Sequence, residues 1–163
     1  DSDLKTELDR YGYNYNGAYK VSRNWLEKLN NSNMDLYIDL HRDAVAEGNK
    51  LVTTIQGREM AQFMFFNGLS YTRARGELTS LPNPYVQDNL AFAFQMKLAA
   101  DEYYPGLTRK TYLKGYRYNL QYRPKSLLVE LGAQTNTVEE AMNACRPLAH
   151  IISMVLKGEN KQE

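Results

Sequence analysis

The stretch SLLVELGAQTNTVEEA, residues 126–141, contains the features that decide the fold of this chain. Its first seven residues form a short pattern that is apolar on both faces, which is typical of a strand in a covered sheet. Glu130 lies near the carboxyl end of that strand, where a buried carboxylate costs free energy unless it has a partner or a task. Thr137 and Glu140 then form a capping box, which predicts that a helix begins there.

Helical and extended patterns alternate along the rest of the chain. Apolar residues three and four apart predict helices near 18–30 and 86–104. The segment MDLYIDL, residues 34–40, alternates apolar and polar side chains and predicts a strand, and a β-hairpin is predicted near 51–66. This alternation indicates an α/β fold with a central, mostly parallel twisted sheet that helices cover on both faces.

Three further features add detail to the predicted fold. Residues 67–84 are a basic loop broken by glycine and proline, and residues 111–122 are rich in tyrosine and predicted to form a short strand with a loop. Pro147 falls inside the last helical pattern, so a kink or break is expected there. The prediction is one domain over 1–158, followed by a polar tail at 159–163.

Composition limits the class of protein. The chain has 163 residues, of which 43% are hydrophobic and 24% charged, as in an ordinary globular domain. Its net charge of +1 gives no electrostatic footprint for nucleic acid. No apolar run reaches the length of a transmembrane helix. Cys145 is the single cysteine, and its place in an apolar helical stripe indicates a packing role.

His41 is the more informative of the two histidines. It directly follows the predicted strand 34–40, whereas His150 lies in the apolar pattern of the last helix and is interpreted as a packed or surface residue. Functional sites in open α/β sheets form outside the carboxyl ends of strands, where Glu130 also lies. A sheet can therefore bring His41 and Glu130 together although they are far apart in sequence.

An imidazole and a carboxylate in one crevice suggest a zinc hydrolase, in which a glutamate takes a proton from water and returns it to the leaving amine. A catalytic zinc usually has three protein ligands, and spacing identifies only His41. On spacing alone, structural pairing by neighbouring charges is the stronger reading: Asp39 or Arg42 with His41, and Arg117 or Arg123 with Glu130. A metal-free hydrolase that uses Asp39, Asp43 and Glu130 is a third reading.

Several motifs resemble segments of one family. DLYIDLHRDA (35–44) and SLLVELGAQTNTVEEA resemble the second zinc-ligand motif and the closing motif of the stage II sporulation protein P family, which belongs among the zinc-dependent N-acetylmuramoyl-L-alanine amidases. Other similar segments follow in the same order: NYNGAY (14–19), NPYVQDNLAFA (83–93) and RYN (117–119). The resemblance extends from about residue 7 to residue 157.

The resemblance implies that His41 is a zinc ligand and that Glu130 is the general base and acid. Within the matching segments, Arg42, Arg117 and Asn119 are the predicted substrate-binding residues. The implied reaction is cleavage of the amide between N-acetylmuramic acid and L-alanine in peptidoglycan, with cleavage of peptide cross-links also implicated, during sporulation and engulfment.

The resemblance also implies partners and a place of action. Stage II sporulation proteins D and M are the implied protein partners, nucleic acid is not expected, and the implied location is the cell-wall side of the bacterial membrane at the sporulation septum. Membrane attachment is expected only through a segment outside this chain.

The sequence departs from the family pattern in two places. The family's first motif, which supplies the other His and Glu ligands, has no counterpart before residue 41, and Asn83 stands where many relatives have histidine. The chain is therefore expected to be the carboxyl-terminal part of the catalytic domain and to be inactive alone. The alternative is a non-catalytic module that binds peptidoglycan or a division protein through residues 67–84 and 111–122.

Overall fold

The computed structural model describes residues 4–14, 17–29 and 33–158. The helices in these ranges are α1 (Leu4–Arg10), α2 (Ala18–Leu29), α3 (Val86–Tyr103) and α4 (Val138–Lys157). The strands are β1 (Tyr37–Asp43), β2 (Val52–Ile55), β3 (Arg58–Ala61), β4 (Phe63–Gly68), β5 (Tyr71–Thr72), β6 (Gly76–Glu77), β7 (Tyr112–Lys114) and β8 (Ser126–Ala133). None of the described helices is long and apolar enough to cross a membrane.

A four-stranded sheet with the order β1-β8-β4-β7 organises the fold. The pairs β1–β8 and β4–β7 are parallel, whereas β4 and β8 are antiparallel. The predicted α/β class with a mostly parallel central sheet is confirmed.

Both faces of β8 are covered, as its apolar pattern predicts. Leu127 and Val129 point to one face, where they are fully buried against a core built largely from α3 and α4. Leu128 points to the other face and packs with Phe66 and Leu120. This double burial fixes the register of β8, because a shift by one residue would exchange its two faces.

The predicted bounds of the strand before His41 are wrong. The strand runs over Tyr37–Asp43 instead of 34–40, so His41 lies inside it and not after its end. Pairing with β8 decides these bounds, since the register runs from Tyr37–Ser126 to His41–Glu130. The apolar alternation could not reveal this, because the polar end of β1 is held by backbone pairing and not by burial.

The predicted hairpin near 51–66 is only partly correct. β2 and β3 do pair around Gln56 and Gly57, whose φ angles of 51° and 76° fit a tight two-residue turn. The second arm, however, ends at Ala61, and Phe63–Gly68 is a separate strand of the central sheet. The reason is burial: all six residues of that strand are buried, which an exposed hairpin arm could not achieve.

The break expected at Pro147 does not occur. The last helix runs without interruption over Val138–Lys157. Pro147 is itself buried, and the buried residues Ala144 and Ile151 on either side of it belong to the same core. Packing of both halves on one core thus outweighs the hydrogen bond lost at proline. The predicted polar tail at 159–163 lies outside the described residues.

Candidate functional site

The structure places His41 and Glu130 directly opposite each other on adjacent parallel strands. Side chains that are paired in this way point to the same face of the sheet, and neighbouring strands lie only about 4.8 Å apart. The sequence-based expectation that these two residues meet is therefore supported by the strand register. Met64 of β4 pairs with Glu130 from the other side, so the carboxylate lies between an imidazole and an apolar side chain.

The imidazole of His41 is held by two neighbours. Its Nε2 lies 2.8 Å from Oδ1 of Asp39, which is two residues earlier and therefore on the same face of β1. The ring of Tyr19 from α2 stacks against it, with 6.2 Å between centroids and 18° between planes. The hydrogen bond to Asp39 raises the pKa of His41, and partial burial opposes this shift.

Glu130 is half-buried, and its Oε2 has no hydrogen-bond partner. Burial raises the pKa of this carboxyl above its ordinary value, His41 lowers it, and the carboxylates of Asp43 and Asp39 raise it further. Neutralisation by Arg117 or Arg123 is the structural alternative, but among the described residues neither arginine forms an ion pair with Glu130, and Arg117 Nη1 donates to the carbonyl oxygen of Pro82 at 3.2 Å. The alternative pairing of His41 with Asp39, in contrast, is present.

Arg109 is the charged neighbour that sequence reasoning missed. Its Nη1 donates to Oδ2 of Asp43 at 2.7 Å, and its charge lowers the pKa of Glu130. The backbone positions it, because Thr108 bridges to Phe63 and the Arg109 amide donates to the Phe63 carbonyl at 2.8 Å. No signal in the sequence marks this residue, since it follows α3 in a loop without a motif.

The segment after Glu130 turns the chain sharply. The pairing of β1 with β8 shifts between His41 and Asp43, and Gly132 adopts a φ of 64° at this bulge. A Cβ at Gly132 would lie 2.9 Å from Asn136 Oδ1, so glycine is needed for space as well as for conformation. Asn136 in turn accepts from the Ala133 amide at 2.8 Å. The motif GAQTN therefore fixes the end of β8 just beyond the candidate base.

The three predicted substrate-binding residues do not all lie together. Arg42 is exposed and lines a cleft of about 740 Å³ between α2 and β1, which Asp39 and His41 also line. Asn119 is buried at the edge of this region, and its Nδ2 donates to the Tyr19 carbonyl and to Ser22 Oγ, at 3.1 and 3.0 Å. Arg117 is held near Pro82 instead. Substrate binding by these residues stays a prediction.

A profile of the stage II sporulation protein P family matches residues 2–153. This chain belongs to the stage II sporulation protein P family. The stage II sporulation protein P of Bacillus subtilis (strain 168) is 26% identical over 159 residues, which cover 93% of this chain and 36% of that protein. The chain thus spans about a third of the length of this curated relative. The resemblance seen in the motifs is confirmed.

One solved structure of an amidase shows a limited likeness. The apo form of the N-acetylmuramyl-L-alanine amidase Ami1 from Mycobacterium abscessus has 14% sequence identity and a TM-score of 0.46. The likeness covers 94% of this chain and 73% of that one. A likeness of this strength decides neither the fold nor the chemistry of the site.

The described residues do not by themselves complete the zinc site that the family resemblance implies. No group of three or more His, Cys, Asp or Glu side chains within 4–14, 17–29 and 33–158 is placed to hold a metal ion. Nε2 of His41 is paired with Asp39, so Nδ1 is the ring nitrogen that could bind a metal. Since a catalytic zinc usually has three protein ligands, zinc binding would need ligands from outside these residues.

Proposed function

We propose that the protein containing this chain hydrolyses the amide bond between N-acetylmuramic acid and L-alanine in peptidoglycan during sporulation, with Glu130 as the proton-transferring residue. One observation carries this proposal: Glu130 faces His41 from the adjacent strand and has an unpartnered oxygen. Membership of the stage II sporulation protein P family supports the sporulation context. The resemblance of both motifs to those of zinc amidases supports the choice of bond.

Hydrolysis of an amide needs a base for the attacking water and an acid for the leaving amine. The ionised Glu130 takes the proton as the water oxygen bonds to the carbonyl carbon. The protonated carboxyl then gives that proton to the nitrogen as the C–N bond breaks. Burial raises the pKa of Glu130, which makes its carboxylate a stronger base than an exposed one.

His41 would bind a zinc ion together with ligands from outside the described residues. When bound, that ion would polarise the attacking water. Asp39 and Tyr19 hold the His41 ring from two sides, which orients it whether or not a metal is bound.

The proposed setting is the cell-wall side of the membrane at the sporulation septum, beside stage II sporulation proteins D and M. Peptide cross-links are a second proposed class of substrate. The family resemblance supports this setting, these partners and this second substrate.

The variant Glu130→Gln in the complete protein tests the proposed role. Loss of the base is expected to lower muropeptide cleavage by about 10²–10⁴-fold, because general acid–base catalysis contributes an effect of that size. Glu102→Gln, an exposed residue of α3, is the matched control and should leave cleavage unchanged. Release of free amines from purified peptidoglycan is the readout, with circular dichroism as the check on folding. Unchanged turnover in Glu130→Gln would refute the role of Glu130.

A further inference from the structure

Two segments that are distant in sequence form one exposed surface at the β7 edge of the sheet. The amide of Leu69 donates to the carbonyl oxygen of Lys114 at 2.8 Å. Gly115 packs so closely on the β5–β6 hairpin that a Cβ there would lie 2.8 Å from Thr72 Cγ2. We call residues 69–77 and 110–117 together the tyrosine-rich surface.

The tyrosine-rich surface exposes large apolar side chains. Four of them are between 42% and 62% exposed: Tyr71, Tyr112, Leu113 and Tyr116. The ring of Tyr112 is supported from below by Phe66, with 5.4 Å between centroids. Grouped exposure of this kind indicates a binding surface, whereas single exposed apolar residues need no explanation.

The same surface carries a concentration of positive charge. Its residues include five cations and one carboxylate, although the whole chain has a net charge of only +1. The cations are Arg73, Arg75, Lys110, Lys114 and Arg117, and the carboxylate is Glu77. Within the part of the chain that the structure describes, none of these five cations forms an ion pair. Arg117 donates to the Pro82 carbonyl and Lys114 lies over the Tyr112 ring, whereas Arg73, Arg75 and Lys110 are exposed and available to an anionic ligand.

The surface lies away from the proposed catalytic residue. β7 is separated from β8 by β4, and Lys114 pairs with Gly68 at the end of β4 that lies beside the start of β8. Glu130 is near the opposite end of β8. Two strand spacings across and several residues along the strands correspond to roughly 15–20 Å. A ligand that reaches both places must be an extended chain and not a single small molecule.

We propose that the tyrosine-rich surface binds a peptidoglycan strand outside the cleavage site, through sugar rings and free carboxylates. Tyrosine rings pack on the C–H faces of sugars while their hydroxyl groups stay hydrated. The exposed cations Arg73, Arg75 and Lys110 pair with carboxylates of the stem peptides. Three of the four exposed apolar side chains are tyrosines and only Leu113 is aliphatic, which suits a glycan better than lipid chains. The choice of polymer rests on the proposed function.

Co-sedimentation with purified peptidoglycan tests this proposal without requiring catalysis. The ligands are teichoic-acid-free sacculi, the same sacculi with amidated carboxylates, and vesicles that contain anionic phospholipid. The charge variant is Arg73→Glu with Arg75→Glu, and its control is Lys28→Glu with Arg146→Glu, an equal charge change at exposed sites elsewhere. The aromatic variant is Tyr71→Ser with Tyr116→Ser. Its control is Phe94→Ser with Leu98→Ser, which removes side chains of matching exposure.

We expect the unmodified chain to sediment with sacculi and to be released by salt. The charge variant should bind about tenfold more weakly, because reversal of two exposed charges changes several weak ion pairs. The aromatic variant should also bind more weakly, both control variants should bind like the unmodified chain, and amidated sacculi should bind poorly. No sedimentation, equal loss in the controls, or binding to vesicles in place of sacculi would overturn the proposal. Cleavage by the complete protein tests the proposed function separately.

Discussion

At the level of single residues, the pairing of Asp39 with His41 influences the protonation state of the imidazole. The hydrogen bond to Asp39 raises the pKa of His41 from its ordinary value of 6.5. The pair therefore contributes its full charge-dependent stabilisation below 6.5 and loses it as the pH rises through the pKa of the folded state.

The variant Asp39→Asn should lower the pKa of His41 relative to the unmodified chain, since an amide cannot stabilise the imidazolium as a carboxylate does. Proton NMR can follow this titration residue by residue, because the chain has only two histidines. His150, whose Nδ1 lies 2.8 Å from the Tyr104 hydroxyl, gives a second set of signals as an internal reference. An identical His41 titration in the variant would contradict the assigned pairing.

Gly132 is the second residue whose geometry limits the site. Gly132→Ala should destabilise the fold by about 1–3 kcal/mol more than Gly57→Ala, because overpacking adds to the backbone strain. Both glycines have positive φ, at 64° and 76°, but only a Cβ at Gly132 would meet other atoms within 4 Å. Urea unfolding of both variants measures the difference. Equal costs would show that space at the bulge is not limiting.

At the level of elements, the start of α4 is held by a capping box and by an ion pair to the segment before β2. Thr137 Oγ1 accepts from the Glu140 amide at 3.1 Å, and Glu140 Oε2 accepts from the Thr137 amide at 3.0 Å. Glu140 also pairs with Lys50, which precedes β2. The hydrogen bond from Lys50 is the largest of the effects that lower the pKa of Glu140.

Removal of the cap by Thr137→Val should cost about 1 kcal/mol of the free energy of unfolding, because one amide at the helix start loses its acceptor.

Glu140→Gln should also destabilise the fold at neutral pH. Its effect should shrink as the pH falls below 4.5, since a lowered carboxyl pKa stabilises the fold only while the group is ionised. Glu139→Gln at the exposed neighbour is the control, and urea unfolding at several pH values is the measurement. A pH-independent effect of Glu140→Gln would contradict this account.

At the level of the whole molecule, the proposed catalytic residue and the tyrosine-rich surface lie in different parts of the central sheet. His41 and Glu130 lie near the carboxyl ends of β1 and β8, while the tyrosine-rich surface lies beyond β4 at the β7 edge. Under the two proposals together, a strand bound at the tyrosine-rich surface leaves the bond next to Glu130 free to react.

The 163-residue chain should contain well below one zinc ion per molecule after desalting, because one imidazole alone does not hold zinc tightly. Elemental mass spectrometry gives this ratio, and His41→Ala should not change it. About one zinc per chain, lost in His41→Ala, would show that the remaining ligands lie in this chain or in a second copy of it.

The sequence by itself determined the features that depend on local pattern. The apolar run of β8 predicts its burial on both faces, and the Thr137–Glu140 spacing predicts the start of α4. His41 and Glu130 stood out because both lie near the carboxyl ends of predicted strands, where sites form in open α/β sheets. The family followed from the order of short motifs.

Only the tertiary structure decided the features that depend on pairing between distant segments. Pairing with β8 sets the bounds of β1 and places Phe63–Gly68 in the central sheet instead of the hairpin. Packing on the core keeps α4 continuous through Pro147. The backbone bridge between Thr108 and Phe63 brings Arg109 to the site, and no local sequence pattern predicts this bridge. The physical reason is that neighbouring strands supply a strand's hydrogen bonds and much of its burial. The sequence of a strand does not specify which strands those neighbours are.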